Sequence, residues 1–264
     1  MSHIELPADK FGPWTVVTGA SAGIGREFVR QLAANGFNVV ISARRATALA
    51  ELGSWIEQEH GVRHRAVIAD MSHRDGPGRL LEATEDLDIG LLVSNAGDLL
   101  PGEFLGRSLQ PALDSWQLNA GSHLVLTHEF GQRLAARGKG GVLLVGAAGA
   151  ENGIPWLAAH AAAKAYTNTL ARGLHSEFAD RGINITVLTP GPTRTELQNR
   201  RSLPDTGGTT VTNAVSAAFK ALKAGDVEVT PGLAARVLNN LPASMSRRMS
   251  GRTMSAIAAQ TTAQ

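Results

Sequence analysis

The sequence predicts an α/β fold in which helices cover both faces of a doubly wound parallel sheet of about seven strands. Three observations lead to this prediction: short β-branched runs recur along the chain, each run is almost continuously apolar, and segments with helical spacing separate the runs. The runs comprise residues 15–18, 38–42, 66–68, 91–93, 142–145, 185–188 and 227–229. Continuous apolar character suits strands that are buried on both faces, as in a parallel sheet.

The elements follow one another as expected for a single domain of residues 1–264. After the first strand, Ile24, Phe28 and Leu32 recur at helical intervals, and Gly36 suits the end of that helix. Segments of this kind separate the later strands, and no repeat or interdomain linker interrupts them. Residues 197–208 are predicted to form a polar loop, and residues 233–264 one or two arginine-bearing helices after the last strand.

The composition excludes several classes of protein. A chain of 264 residues with 43% hydrophobic and 18% charged residues is neither disordered nor fibrous. The absence of cysteine excludes disulfides, thiolate metal sites and a cysteine nucleophile, and it suits a reducing compartment. The histidines show no metal-ligand pattern. With a net charge of only +2, the chain is not expected to bind nucleic acid.

The positive charge is concentrated near the end of the chain. Residues 197–264 contain eight basic and three acidic residues. The helices of this basic tail are expected to pack over the substrate side or a neighbouring subunit, with the arginines outward, and weak binding to a membrane surface is the alternative. The sequence has no apolar run of membrane-spanning length and no signal-peptide core, so a cytoplasmic location is expected.

A glycine-rich segment, Thr18-Gly19-Ala20-Ser21-Ala22-Gly23-Ile24-Gly25, follows the first strand and opens a helix. Small residues at such a turn let the backbone approach a pyrophosphate, which the helix N-terminus attracts. The segment therefore predicts a dinucleotide site, and an ordinary glycine-rich turn is the alternative.

This segment and several later ones resemble the motifs of the classical short-chain dehydrogenase/reductase family over nearly the whole chain. Residues 18–25 resemble its TGxxxGxG loop, Ser94-Asn95-Ala96-Gly97 its NNAG motif, and residues 190–195 the segment that closes over the nicotinamide. The resemblance implies a Rossmann-like fold, a dimer or tetramer, and a small-molecule substrate covered by a loop at about residues 196–210. The cofactor residues that it implies are Thr18, Gly19, Ser21, Gly23, Ile24, Gly25, Arg44, Asp70, Met71, Asn95, Ala96, Gly97, Lys164, Pro190, Gly191, Thr193 and Thr195.

The end of the second strand favours NADP(H) over NAD(H). An acidic residue at this place would accept the ribose hydroxyls of NAD, but the sequence has Ala43 followed by Arg44. A guanidinium can bind the 2′-phosphate bidentately, whereas a carboxylate would repel it. A solvated arginine pair is the alternative. The basic residue that many NADP-binding relatives carry in the glycine loop is replaced by Ala22.

The catalytic positions depart from the family pattern of Ser, Tyr and Lys supported by Asn. Lys164 and Asn119 match the family, but the position of the Tyr holds His160 and that of the Ser holds Ala147. The only tyrosine, Tyr166, lies two residues after Lys164 and cannot share its helix face.

Histidine can act as an acid or base near neutral pH, although its reach is shorter than that of tyrosine. Ala147 cannot donate a hydrogen bond to a substrate oxygen. The charge of Lys164 should favour the neutral imidazole of His160, which is a better base than acid. Asp98 is either an orienting partner of His160 or a solvated loop acid.

Three functions therefore remain open. The first is an oxidoreductase that acts on a carbonyl or alcohol through His160. The second is non-redox chemistry, such as elimination, isomerisation or cyclisation, with His160 as the base. The third is a catalytically silent binding protein. Trp116, Trp156 and Leu157 either wall an apolar substrate pocket or belong to the core.

Overall fold

The computed structural model describes residues 4–191, 193–194 and 208–262. Its strands are β1 (Trp14–Thr18), β2 (Asn38–Ala43), β3 (His64–Ile68), β4 (Ile89–Ser94), β5 (Gly140–Val145), β6 (Ile183–Leu188), β7 (Thr193–Arg194), β8 (Thr209–Thr210) and β9 (Glu228–Val229). Its α-helices are α1 (Ala8–Phe11), α2 (Gly23–Ala34), α3 (Ala46–His60), α4 (Gly76–Glu82), α5 (Gln110–Trp116), α6 (Ser122–Arg137), α7 (Ala158–Ala179), α8 (Val211–Ala224), α9 (Leu233–Asn240) and α10 (Ala243–Thr262). None of the described helices is long and apolar enough to cross a membrane.

The main sheet has seven parallel strands, as predicted, and the structure shows their order to be β3-β2-β1-β4-β5-β6-β9. The order reverses between β1 and β4, and a doubly wound sheet binds its ligand in the crevice outside the carboxyl ends of the strands at such a point. A second sheet, which the sequence did not predict, pairs the two-residue strands β7 and β8.

The two faces of the main sheet carry separate apolar cores because helices cover both faces. On one face, Phe28 of α2 packs edge to face against Phe219 of α8, with ring centroids 5.4 Å apart. On the other face, Phe130 and Leu134 of α6 are fully buried beneath the central strands. The core thus holds the strand ends rigidly in place, and the strand ends position the site.

From residue 233 onward, the basic tail contains two helices, α9 and α10. Arg236, Arg247, Arg248 and Arg252 of these helices are exposed, and the helices pack over the segment that follows β5. Most of the predicted loop at residues 196–210 lies outside the described residues.

Candidate active site

The carboxyl ends of β1 and β4 are joined by three hydrogen bonds at the switch point. The hydroxyl Oγ1 of Thr18 accepts from the backbone N–H groups of Asn95 and Ala96, both at 2.9 Å. The side chain of Asn95 donates in return to the carbonyl of Thr18 at 2.8 Å. These contacts hold the glycine-rich segment beside residues 94–97, so two of the predicted cofactor motifs meet at one edge of the sheet.

The glycines of this edge have no room for side chains. A Cβ on Gly25 would lie 2.2 Å from the carbonyl oxygen of Gly19 and 2.5 Å from Nδ2 of Asn95. Gly19 itself has a φ of 66°, which favours glycine. The first turn of α2 receives no side-chain cap, so its N–H groups remain available to an anion. This narrow backbone cradle fits a pyrophosphate, with Ser21, Gly23 and Ile24 along its rim.

Two arginines lie beside the cradle. The guanidinium of Arg44, 66% exposed, lies 3.8 Å from the carboxylate of Asp70. Arg45 instead donates to the carbonyl and hydroxyl of Ser21 at 3.1 and 3.3 Å. The sequence pattern did not predict this basic contact to the glycine loop, because Arg45 lies at the start of α3 and not in the loop itself.

Asp70 is held as a carboxylate just after β3. Burial opposes its ionisation, but hydrogen bonds from the backbone and hydroxyl of Ser72, together with the charge of Arg44, outweigh this and lower the pKa of Asp70. Met71, which follows it, is almost fully buried. Asp70 can therefore accept hydrogen bonds from a bound ligand.

Asn119 lies in a turn of π-helix, Gln117–Gly121, between α5 and α6. Its Nδ2 donates to the carbonyls of Asp98 and Ser115 at 3.1 and 3.0 Å. Its Oδ1 is buried and accepts no hydrogen bond within the described part of the chain. An acceptor that is buried in this way suits a bound water or substrate donor, and π-turns recur at functional sites.

Lys164 and Asn119 meet at Gly97. A Cβ on Gly97 would lie 2.8 Å from Oδ1 of Asn119 and 3.1 Å from Nζ of Lys164, so this glycine lets both groups approach. Nζ of Lys164 also donates to the carbonyl of Val145 at 2.7 Å. His160 lies one turn before Lys164 on the same face of α7 and is 6% exposed. The predicted catalytic residues thus share one buried corner.

Burial lowers the pKa of Lys164 from 10.5 to about 7, because the charged ammonium loses its hydration. The amine can therefore change protonation state near neutral pH. Tyr166 is 38% exposed and does not share the face of His160 and Lys164.

A second buried histidine, His123 on α6, lies close to this corner. Its Nδ1 is 2.8 Å from the hydroxyl of Ser94. Burial and the positive charge of Lys164 both hold the pKa of His123 well below its usual value, so the ring is neutral. No sequence motif marks His123, and its contact with Ser94, at the first position of the Ser-Asn-Ala-Gly motif, connects it to the site.

The backbone of Ala147 is clamped by Asn168. The amide of Asn168 donates to the carbonyl of Ala147 at 3.0 Å and to Glu151 at 2.9 Å. Arg172, one turn further along α7, pairs with Glu151 and with Glu228 of β9. This network holds residue 147 at the carboxyl end of β5, beside the corner that Lys164 occupies.

Of residues 190–195, which were predicted to close over the nicotinamide, the structure describes residues 190–191 and 193–194. The carbonyl of Pro190 accepts from the N–H of Ala148 at 3.1 Å, and the hydroxyl of Thr193 donates to the carbonyl of Gly191 at 3.0 Å. Thr195, predicted to contact the cofactor, lies outside the described residues.

An apolar pocket adjoins the first turn of α7. Trp156, Phe104 and Leu100 line it with Ala158 and Ala159, and Arg107 and Glu103 add charge at its rim. Trp156 has a positive φ of 63°, and its carbonyl accepts from the N–H of Gly102 at 2.7 Å. Of the other predicted wall residues, Leu157 is buried and Trp116 is half exposed.

Comparison with known proteins identifies the family to which this fold belongs. The short chain dehydrogenase family matches residues 13–205. The chain belongs to that family. The family binds a nicotinamide dinucleotide, which agrees with the backbone cradle. Among curated relatives, the 7beta-hydroxysteroid dehydrogenase of Clostridium sardiniense is 31% identical over 74% of this chain and 76% of its own length.

Other relatives of this family member match over a smaller share of their length. The 17-beta-hydroxysteroid dehydrogenase type 3 of Mus musculus is 34% identical over 68% of this chain and 59% of its own. A protein of Pongo abelii named inactive hydroxysteroid dehydrogenase-like protein 1 is 31% identical over 69% of this chain and 56% of its own.

Among solved structures, a short-chain dehydrogenase from Sphingobium yanoikuyae in complex with NADPH is 27% identical. It covers 86% of this chain and 91% of its own, with a TM-score of 0.79. A structure described for 7beta-hydroxysteroid dehydrogenase stereoselectivity is 25% identical and covers 92% of this chain and 98% of its own, with a TM-score of 0.85.

Proposed function

We propose that this protein is an NADP(H)-dependent oxidoreductase that interconverts a carbonyl and an alcohol, with His160 as the acid and base. The observation that carries the proposal is the convergence of Oδ1 of Asn119 and Nζ of Lys164 on Gly97, with His160 one turn away on the same helix face. The amide and the amine that support proton transfer are in position, and a side chain able to exchange a proton stands beside them.

The cofactor preference rests on the two arginines. The guanidinium of Arg45 lies on Ser21, and that of the adjacent Arg44 is largely exposed near Asp70, so a 2′-phosphate on the adenosine ribose would have two positive charges available. Asp70 and Met71 would border the adenine, and Lys164 with residues 94–97 and 190–195 would border the nicotinamide. The similarity to a dehydrogenase solved with NADPH agrees with this choice.

In this proposal residues 18–25 and Arg44 would hold a dinucleotide, which would supply or accept the hydride when bound. During reduction His160 gives a proton to the carbonyl oxygen, and during oxidation it takes the proton from the alcohol. Lys164, whose pKa is about 7, can hold or release a proton at the same corner and supplies positive charge when protonated. Asn119 offers its free Oδ1 to a water or hydroxyl at the same corner. The methyl side chain of Ala147 lacks the hydroxyl donor that a serine supplies at this position in the family pattern.

We infer the substrate class from the apolar pocket at the first turn of α7, which Ala158 and Ala159 line just before His160 in the chain. Trp156, Phe104 and Leu100 form an apolar wall suited to a bulky hydrophobic ketone. The relatives named hydroxysteroid dehydrogenases and very-long-chain 3-oxoacyl-CoA reductases have names that point to apolar substrates as well. The dimer or tetramer and the cytoplasmic location expected from the sequence stay predictions.

A catalytically silent binding protein is the second candidate. The lack of a hydroxyl at Ala147 favours it, as does the similarity to a relative named inactive. Non-redox chemistry with His160 as a base is also still open, since it needs the same corner and no net change in the dinucleotide.

The test is NADPH oxidation with a panel of bulky ketones and diketones, followed together with product formation. We expect turnover by the parent, and we expect His160→Ala to lower kcat by about 100-fold or more because a positioned acid is lost. Tyr166→Phe, which alters the solvent-exposed tyrosine of the same helix, is the control and should leave the rate unchanged.

The double variant Ala147→Ser with His160→Tyr restores both family residues and should create or raise ordinary carbonyl reduction. Equal rates for the parent and His160→Ala in every reaction would remove His160 as the acid. Product without NADPH oxidation would establish non-redox chemistry. NADPH binding without any product would favour the silent protein.

A further inference from the structure

The two tail helices share an outward surface that is both apolar and basic. On α9, Leu233 and Val237 are 78% and 47% exposed, and on α10, Met245 and Met249 are 52% and 54% exposed. Arg236 lies three residues after Leu233. Arg248 and Arg252 lie three residues after Met245 and Met249, so each helix presents both kinds of side chain on one face. We call these seven residues the tail surface.

The tail surface faces away from the body because the opposite sides of both helices are docked. Ala235 of α9 lies against Gly191, where an added Cβ would be 2.8 Å away. Leu238 of α9 and Ser246 of α10 both lie near Gly149, so the helices adjoin at that residue. Asn239 also accepts a hydrogen bond from the N–H of Gly149 at 2.6 Å.

Further contacts hold α10 along its length. Arg247 donates to the carbonyl of Asn152 at 3.1 Å, and Gly251 lies against Pro155, where a Cβ would be 3.2 Å away. Ile257 and Ala258 are buried near the end of the helix. The exposure of the methionines therefore belongs to docked helices rather than to a tail that projects into solvent.

The charge of the tail surface is not compensated. The sequence contains no Asp or Glu after Glu228, whereas Arg236, Arg247, Arg248 and Arg252 all follow it. Within the described part of the chain, none of these arginines forms an ion pair, and Arg236 donates only to the carbonyl of Thr230. A partner that offers negative charge and an apolar interior at the same place would satisfy both features.

We propose that the tail surface docks on the face of an anionic phospholipid bilayer. Apolar side chains of an interfacial helix enter the boundary between headgroups and acyl chains, while arginines beside them contact the phosphates. Since α9 and α10 pack on Gly149 and Gly191 beside the candidate site, docking would bring the mouth of that site close to the lipid. An apolar substrate could then enter from the membrane, although lipid binding does not depend on the proposed reaction.

A second copy of the chain fits the tail surface less well. A two-fold dimer through this surface would place each arginine cluster opposite its own copy, and like charges across an interface repel. A lipid surface instead carries the opposite charge. Self-association is therefore treated as the competing outcome of the test.

The experiment is co-sedimentation of the full chain with vesicles of phosphatidylcholine alone and with vesicles that also contain phosphatidylglycerol. We expect binding to the anionic vesicles only, and a marked loss of binding at high salt because the contact is electrostatic in part. Arg248→Glu with Arg252→Glu should weaken the partitioning by about tenfold or more. Met245→Ser with Met249→Ser should weaken it by a similar factor because the buried apolar area is lost.

The matched control is Arg181→Glu with Lys220→Glu, which changes the net charge equally at exposed positions outside the tail surface. This variant should bind the vesicles nearly as well as the parent. Unchanged NADPH affinity in all variants would report an intact fold. The proposal is overturned if neither vesicle binds, if the control and the tail variants behave alike, or if the tail variants instead abolish a dimer detected by sedimentation velocity.

Discussion

At the scale of single residues, the nucleotide site depends on two adjacent arginines with different tasks. Arg44 reaches toward the carboxylate of Asp70, whereas Arg45 turns back to Ser21 in the glycine loop. The sequence predicts the first from its place after β2. It does not predict the second, because the direction of a long side chain depends on which acceptors the fold brings within reach.

The cofactor proposal makes a prediction for Arg44. The parent should bind NADPH at least about tenfold more tightly than NADH, a difference of about 1.4 kcal/mol. Arg44→Ala should erase most of this difference by weakening NADPH binding, while NADH binding stays nearly unchanged because NADH has no 2′-phosphate. Titration with each dinucleotide, followed by protein fluorescence or calorimetry, measures the effect.

Arg79→Ala is the control for this titration, since Arg79 is exposed and, in the described part of the chain, forms its ion pair with Asp75 at the start of its own helix. It should leave both affinities unchanged. Equal affinities for NADPH and NADH in the parent would rule out the proposed preference.

At the scale of secondary-structure elements, the π-turn at residues 117–121 carries Asn119 and connects it to α7. The carbonyl of Asn119 accepts from the hydroxyl of Thr167 on α7 at 2.9 Å. This bond joins the helix that carries Asn119 to the helix that carries His160 and Lys164. The π-turn was not predicted, because periodicity in the sequence cannot distinguish a single π-turn from the α-helix around it.

Thr167→Val tests this link between the helices. The change keeps the shape of the side chain but leaves the carbonyl of Asn119 without the hydroxyl donor, which should cost about 1–3 kcal/mol of unfolding free energy. We also expect a lower kcat in any reaction found, since Asn119 loses an anchor. Urea denaturation and steady-state kinetics give the two readouts.

Thr127 provides an isosteric control on α6. Its hydroxyl is buried and has no hydrogen-bond partner in the described part of the chain, so Thr127→Val should be neutral or stabilising. If both variants lose the same stability, the bond from Thr167 to Asn119 has no special role.

At the scale of the whole molecule, the fold buries an amine at the end of its central sheet. Lys164 is 5% exposed, and its pKa of about 7 lies far below the value of 10.5 for an exposed lysine. Below pH 7 both the folded and the unfolded chain hold this proton. Between pH 7 and 10.5 only the unfolded chain holds it, so the free energy of unfolding rises with pH in that range.

We therefore expect the parent to gain stability between pH 7 and 9.5 relative to Lys164→Met, which keeps an unbranched apolar side chain and removes the titrating group. The difference should grow by up to about 1.4 kcal/mol per pH unit. Urea denaturation of both proteins without cofactor at several pH values gives this difference directly, because contributions from other groups cancel. A difference that stays constant with pH would show that Lys164 keeps an ordinary pKa.

The same pKa bears on the proposed reaction. The titration of Lys164 alone can produce a limb near pH 7 in the rate profile, so the acid is identified by a variant rather than by the profile. The comparison with His160→Ala in the ketone assay separates the two groups.

The sequence by itself determined the sheet, the nucleotide edge and the positions of the candidate catalytic residues. Apolar runs and glycine spacing are local properties, and the spacing from His160 to Lys164 places them on one helix face wherever α7 lies. The structure confirms the parallel sheet of seven strands, and Asn119 and Lys164 both lie beside Gly97.

Only the tertiary structure decided the contacts between distant parts of the chain. The bond of Arg45 to Ser21, the pair of His123 and Ser94, and the clamp of Asn168 on Ala147 each join different elements. The tail surface depends in the same way on which sides of α9 and α10 dock against the body. No local pattern encodes these pairings, because they depend on how the packed helices and strands orient side chains toward one another.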